Sequence, residues 1–341
     1  MKNIDWNNLG FEYVKTNCHV RATYKNGKWG RLGTHRKDTI TMNVAATCLH
    51  YGQACFEGLK AFRCKDGKVR IFRAGENLKR MNDTASYIHC PALPESMFIK
   101  AVRKAVSENI DFVPPYGTGG SMYLRPLLIG TGPKIGVAPG DQYDFLVLAI
   151  PVGAYYKGNI KPVDAIIMDD YDRAAPSGTG HIKMGGNYAS GLHAQIVAKK
   201  KGFPIVLYLD SKTRQYVDEF GTSNFIGITK DGKYVTPESR SILPSITNKS
   251  LMQIARDMGI TVERRPIAFH EIANFAEIGA CGTAVVITPI GRIVCGDKTF
   301  QYDSEKCGPV LKKLYEELTR IQYGEVPDRH GWLMEAEVAR S

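Results

Sequence analysis

Long apolar runs are missing from this chain. The most apolar stretch, FLVLAIPVGAYY (145–156), is too short and too interrupted to span a bilayer, and the opening MKNIDWNNLGFEY has no apolar core of a signal peptide. Secretion and membrane insertion are not expected, and a cytoplasmic location is. Cysteine motifs are missing as well. The eight cysteines, at 18, 48, 55, 64, 90, 281, 295 and 307, form no C-x-x-C and have no histidine at metal-ligand spacing. That speaks against the common zinc frameworks and fits reduced thiols. No low-complexity tract and no internal repeat occurs. Two glycine-containing runs, GTGG at 117–120 and GTGHIKMGG at 178–186, lack the spacing of a nucleotide cradle, since neither contains G-x-x-x-x-G-K-[ST] nor opens a G-x-G-x-x-G unit after a strand.

What remains is an ordinary globular composition: 341 residues, 43% hydrophobic and 23% charged, enough for two domains. Forty-five basic against thirty-four acidic residues leave a net charge of +11. The basic runs KAVRKAVSENI and VAKKKGF are short and carry no interleaved aromatics, so nucleic acid is not the expected partner; the excess suits small anions such as phosphates and carboxylates.

Alternation predicts extended chain at 39–46 (TITMNVAA) and a hairpin turning at Asp66-Gly67. Stripes at Leu78, Met81, Ala85 and Ile88, and at Met97, Ala101, Ala105 and Val106, predict helices over 75–88 and 94–109. The runs SMYLRPLLIGT and YDFLVLAIPV read as strands. A polar, Gly/Pro-punctuated stretch near 156–163 divides the chain, giving an N-terminal domain over 1–155, a linker over 156–168 and a C-terminal domain over 169–341. The second half is expected to hold a helix after 185, strands at FPIVLYL, YVDEF and NFIGI, helices near 248–258 and 270–278, and a strand pair in TAVVITPI-GR-IVCG. Strands and helices without regular alternation make the fold class α+β.

One lysine stands out. In GTGHIKMGGNYASG, Lys183 sits among small residues that let backbone approach a ligand closely, and a lysine held there with a lowered amine pKa can form a Schiff base. Taken alone, it reads more readily as a solvated turn lysine, since most lysines are solvated. The surrounding run, however, resembles the cofactor-lysine segment of the branched-chain amino acid aminotransferases, pyridoxal-phosphate enzymes of fold type IV. LHYGQACFEGLKAFR (49–63), MYLRPLLIGT (122–131), IPVGAYYKG (150–158), DEFGTSNFIGI (218–228), SILPSITNKSLMQIA (241–255) and GTAVVITPIG (282–291) are similar to the family's motifs in the same order.

The resemblance implies a smaller N-terminal and a larger C-terminal domain with the active site between them, and a role for each matching residue. Lys183 would hold pyridoxal 5'-phosphate and then move the proton at the substrate α carbon. Glu219, in the family's E-x-G-T with Thr222, would pair with the pyridine nitrogen; neighbouring Asp218 points to the opposite face of an extended run. Tyr188 would hydrogen-bond the cofactor's phenolate oxygen. Arg80, in FRAGENLKRM, would grip the phosphate with the amides of Ile246 and Thr247 at a helix N-terminus and the hydroxyl of Thr283, although Thr247 also suits plain N-capping. The amides of Gly282, Thr283 and Ala284 would receive the substrate α-carboxylate together with Tyr123, and Arg125 the second carboxylate of glutamate or 2-oxoglutarate. Tyr51, Phe56 and Tyr155 would wall an apolar pocket, with Ile135 and Val137 from a neighbouring subunit, hence at least a homodimer.

Two departures from the family pattern are visible. The C-x-x-C redox pair that mammalian relatives carry after the glycine turn is absent, and Asn17-Cys18 stand where the family often has an aromatic pocket wall. The expected activity is a ping-pong transamination between L-leucine, L-isoleucine or L-valine and 2-oxoglutarate. The alternatives are a D-amino acid transaminase or aminodeoxychorismate lyase of the same fold and, more remotely, a basic non-enzymatic binding protein.

Overall fold

The computed structural model describes residues 4–154 and 160–336. They form two compact units. The first comprises 4–154, 182–185 and 320–336, and the second 160–181 and 186–319.

In the first unit the strands are β1 (His19–Lys25), β2 (Lys28–Trp29), β3 (Gly33–His35), β4 (Ala54–Phe56), β5 (Leu59–Arg63), β6 (Val69–Phe72), β7 (Ser121–Gly130) and β8 (Tyr143–Val152), with helices α1 (Thr47–Tyr51), α2 (Ala74–Tyr87) and α3 (Glu95–Ser107). A final strand, Leu333–Glu335, pairs with β6 at one edge, and the order continues β6-β5-β7-β8-β1-β2, with β3 on β1 and β4 on β7. Period-two alternation gives this antiparallel sheet two different faces. Leu59, Ala61, Met122, Leu124, Phe145 and Val147 point into a core closed by Leu78, Met81 and Ala85 of α2 and by Phe98, Ala101 and Ala105 of α3. The other face carries Lys60, Tyr123 and Arg125: Lys60 lies directly across the ladder from Tyr123, and Arg125 is two residues further along β7. A helix-packed core thus leaves one sheet face for polar chemistry.

The second unit holds β9 (Val163–Ile167), β10 (Ile205–Leu209), β11 (Val217–Phe220), β12 (Asn224–Thr229), β13 (Tyr234–Pro237), β14 (Val262–Arg265), β15 (Phe275–Gly282), β16 (Val286–Cys295) and β17 (Lys298–Gln301), and helices α4 (Gly185–Lys200), α5 (Ile246–Asp257) and α6 (Pro309–Gln322). The strand order is β11-β10-β9-β16-β15-β12-β13-β14, with β17 on β16. Parallel pairs (β9 with β10 and β16, β13 with β14) join antiparallel ones, so the sheet is mixed. Phe220, Phe225, Phe275, Ile278 and Ile293 fill its core.

Several expectations change here. Residues 39–46 are not a strand: the Asn43 side chain accepts from the Ala45 amide at 2.9 Å, and the Asn43 carbonyl from Ala46 at 3.0 Å, so a local turn replaces ladder pairing. The helix expected at 270–278 is a 3-10 turn, Phe269–Asn274, after which β15 pairs with β12 and buries Phe275 and Ile278 in the sheet core. TAVVITPI and IVCG are not a hairpin pair but the single strand β16, whose register shifts between Ile290 and Arg292. Gly291 marks that bulge, where a Cβ would stand 3.1 Å from the Ser304 backbone. Within the expected linker, Val163–Ile167 is the inner strand β9, and the second unit ends at Thr319, because 320–336 joins the first.

Candidate active site

In the first unit, α2 and the β4–β5 segment build a buried cationic centre. Glu57 is fully buried, and its carboxylate accepts from Arg80 Nε and Nη2, both at 2.7 Å, from Asn77 Nδ2 at 2.7 Å and from the Gly58 amide at 3.2 Å. Arg80 and Asn77 share a face of α2 at i and i+3. The bidentate pairing fixes the plane of the Arg80 guanidinium. One turn on, Thr84 receives the Lys183 amide on its Oγ1 at 3.0 Å, while the Lys183 carbonyl accepts from the Phe56 amide at 3.1 Å. A further antiparallel bridge joins Cys55 and Met184. Lys183 therefore sits in a short strand-like segment laid against β4, with Nζ 4.7 Å from the Phe56 ring centroid.

Arg125 stacks over the same ring at 4.7 Å and donates from Nη2 to the Tyr123 hydroxyl at 3.0 Å. Its Nε is buried with no hydrogen-bond partner among the described residues, a donor that an incoming carboxylate would satisfy. Gly58 is required beside it, because a Cβ there would overlap the Tyr123 hydroxyl. Lys60, on the same sheet face, was not singled out in the sequence; desolvation brings its amine down to about 8. Tyr51 is 40% exposed, and its hydroxyl donates to the Ile135 carbonyl of the same chain; Ile135 and Val137 are exposed. Tyr155 lies outside the described residues.

The second unit holds further candidate groups. Glu219, on β11, is buried; Oε1 accepts from the Leu243 amide at 2.9 Å and from Arg173 Nη2 at 2.7 Å, and Oε2 from Asn224 Nδ2 at 2.8 Å. The same Arg173 nitrogen donates to the carbonyls of Gly180 at 2.6 Å and Ser241 at 2.5 Å. One guanidinium thus ties Glu219 to the loop that leads into Lys183 and to the loop that leads into α5. Gly180 is needed for this closeness, since a Cβ there would collide with the Ser241 carbonyl oxygen. Asp218 is also buried, its Oδ1 has no partner among the described residues, and burial pushes its carboxyl above the usual carboxylate range.

Ile246 and Thr247 are the first two residues of α5, where amides have no acceptor within the helix. The N-cap is Ser245 and not Thr247: the Ser245 hydroxyl accepts from the Asn248 amide at 3.1 Å. Thr283 and Ala284 lie in the turn between β15 and β16, and a Cβ on Gly282 would stand 3.7 Å from the Ser223 Cβ and 3.8 Å from the Thr222 carbonyl oxygen. Thr222, itself exposed, therefore borders that turn. Tyr188 is partly exposed in the first turn of α4. Among the described residues no cluster of three or more His, Cys, Asp or Glu suited to a metal occurs.

Glu57, Thr84, Arg173 and Asn224 do not stand out in the sequence. Each acts through a partner distant along the chain or on a neighbouring turn; Glu57 in LHYGQACFEGLKAFR and Asn224 in DEFGTSNFIGI lie inside noted motifs, and Thr84 and Arg173 in none.

The class IV aminotransferase family model matches residues 54–293. The branched-chain-amino-acid aminotransferase of Haemophilus influenzae is 46% identical over 99% of this chain and 100% of its own length. Among solved structures, the branched-chain amino acid aminotransferase of Escherichia coli aligns with a TM-score of 0.81 at 27% identity, covering 95% of this chain and 100% of that one. The branched-chain amino acid aminotransferase of Thermobaculum terrenum, solved in its PLP form, shares the fold with a TM-score of 0.79 at 22% identity, over 95% and 100% of the two chains. With a full-length relative at 46% identity and a family model spanning most of the sequence, this chain belongs to the class IV aminotransferases, in the branched-chain-amino-acid aminotransferase family.

Proposed function

We propose that the protein is a pyridoxal 5'-phosphate-dependent transaminase that exchanges the amino group of L-leucine, L-isoleucine or L-valine with 2-oxoglutarate, giving L-glutamate and the branched 2-oxo acid. The observation that carries this reading is the full-length match to branched-chain-amino-acid aminotransferases, with a buried, cation-held carboxylate at Glu219. The donor set suits the cofactor: a guanidinium fixed by Glu57, helix-first amides at Ile246 and Thr247 for a phosphate, and Glu219 as an acceptor for a protonated ring nitrogen.

Bound pyridoxal phosphate supplies the electron sink that makes the substrate Cα–H bond acidic. Lys183 Nζ holds the cofactor and then carries the proton from the substrate α carbon. Glu219 pairs with the ring nitrogen, and Arg173 is ion-paired with Glu219. Arg80 and Thr283 hold the phosphate, with Thr222 beside the turn, and Tyr188 donates to the phenolate oxygen. Gly282, Thr283, Ala284 and Tyr123 receive the α-carboxylate. Arg125, with its partnerless Nε, takes the second carboxylate of 2-oxoglutarate. Tyr51, Phe56 and Tyr155 supply the apolar wall, joined by Ile135 and Val137 of a second copy. Exposure of Ile135 (65%) and Val137 (87%) supports a homodimer or higher homo-oligomer, and eight cysteines without a disulfide support a reducing, cytoplasmic setting.

The test is a visible absorption spectrum before and after adding L-leucine without any keto acid. A yellow band that bleaches with L-leucine and is left unchanged by D-alanine is the expected result; a preference for D-alanine, or no band after reconstitution with pyridoxal phosphate, overturns it. Lys183→Ala is expected to lose the covalent adduct and nearly all turnover.

A further inference from the structure

The segment 182–185 is a four-residue excursion of the chain into the first unit. We propose that Thr84 is a positioning residue for Lys183, setting the direction in which the lysine amine approaches the reacting carbon. The inference rests on the reading of Lys183 as the catalytic lysine.

Thr84 is 1% exposed, so water does not substitute for its hydroxyl. That hydroxyl donates to the Arg80 carbonyl one turn back, at 3.0 Å, which aims an oxygen lone pair outward from α2. The Lys183 amide donates to that oxygen at 3.0 Å. From the other side, the Phe56 amide donates to the Lys183 carbonyl at 3.1 Å. The lysine main chain is therefore clamped at both polar groups of one residue, by α2 and by β4. A side chain with four rotatable bonds is only as well aimed as its Cα. Because Thr84 follows Arg80 by four residues on α2, a single helix turn sets both the phosphate-gripping guanidinium and the anchor of the base. Removing the hydroxyl takes that acceptor from the Lys183 amide at a part-buried contact. The Phe56 contact remains, so Lys183 still reaches the cofactor but from a displaced origin, and small misplacements of a reacting group are costly.

The experiment compares holoenzyme of Thr84→Val and Thr84→Ser with the parent, using L-leucine and α-deuterated L-leucine. Thr84→Val should keep the visible band and a KM for L-leucine within about 3-fold, while kcat falls about 10- to 100-fold and the deuterium isotope effect rises as proton transfer becomes limiting. Thr84→Ser, which restores the acceptor, should return kcat to within about 3-fold of the parent. Should Thr84→Val fail to fold, Thr84→Ala carries the same comparison. A parent-like kcat and isotope effect in the hydroxyl-free variant, or a serine variant as slow as the valine one, overturns the proposal. Lys183→Ala separates the two levels: an inactive Lys183→Ala beside a parent-like Thr84→Val rejects only the role of Thr84, whereas an active Lys183→Ala rejects the underlying reading.

Discussion

Among the described residues, each unit has a buried Arg–Glu pair, and the two are built in opposite senses. In the first, the carboxylate of Glu57 is saturated by Arg80, Asn77 and the Gly58 amide, and its work is to orient the cation. In the second, the cation is the shared member: Nη2 of Arg173 alone serves Glu219, Gly180 and Ser241. Burying ions costs several kcal/mol each and the attraction roughly offsets it, so neither pair is expected to be a large net source of stability. Their value is directional. Under the proposed function, the first would present a guanidinium to the cofactor phosphate, and the second a carboxylate to the ring nitrogen.

Breaking the first pair should have the largest effect on folding. Glu57→Ala strands Arg80 in a buried site and is expected to cost about 3–5 kcal/mol, read from the denaturant midpoint. Arg173→Met should leave the fold closer to intact but reduce kcat by about 10- to 100-fold by leaving Glu219 without its cation. Arg173→Lys is expected to recover much of that loss, since an ammonium offers three donors where Nη2 now meets three acceptors; Glu57 offers Arg80→Lys no such rescue, because that pair uses Nε and Nη2 together. An equal response of both sites to lysine would erase the distinction. Ser245→Ala, which uncaps α5 next to the second pair, should cost about 1 kcal/mol and weaken phosphate retention, checked by cofactor loss on dialysis.

The smallest expected effect is on pH. His19 and His35 stack at 5.3 Å in the first unit, and burial first, then neighbouring positive charge, lowers both below the ordinary imidazole range. The unfolded chain then binds more protons near pH 6, so this contribution to stability is present at neutral pH and is lost as the pH falls below about 6.5. Asp218 in the second unit has the opposite sign: its carboxyl is raised by burial, the folded state holds the extra proton, and stability is lost as the pH rises above the ordinary carboxylate value. Amide exchange, corrected for intrinsic rates, should therefore accelerate in β1 and β3 between pH 7 and pH 5 without a matching change in β11. Asp218→Asn should raise the unfolding midpoint at pH 7, a gain that shrinks towards pH 4.

Local signals made much of the architecture legible. The Asp66-Gly67 turn, the stripes of α2 and α3 and the apolar runs of β7 and β8 follow from periodicity, and the crowded glycines around Lys183 mark a close approach that Gly180 makes to Ser241. The failures share one cause. Residues 39–46 alternate as a strand would but are held by the Asn43 turn; 275–278 has a helix-compatible composition but is captured by β12; Gly291 resembles a turn residue but accommodates a bulge. In each case contacts beyond the local pattern decide between conformations that this pattern leaves nearly equal. The same holds for Glu57, Thr84 and Arg173, ordinary residues until the fold brings them to Arg80, Lys183 and Glu219.

The path of the chain carries a consequence for dissection. Residues 182–185 and 320–336 belong with the first unit although they follow the division near 155. A gene split at that point would yield an amino-terminal fragment lacking the edge strand Leu333–Glu335 and the Lys183 segment, and a carboxy-terminal fragment with two orphaned pieces. Neither half is a transplantable module, and activity from separately produced halves would require them to be threaded back together during folding.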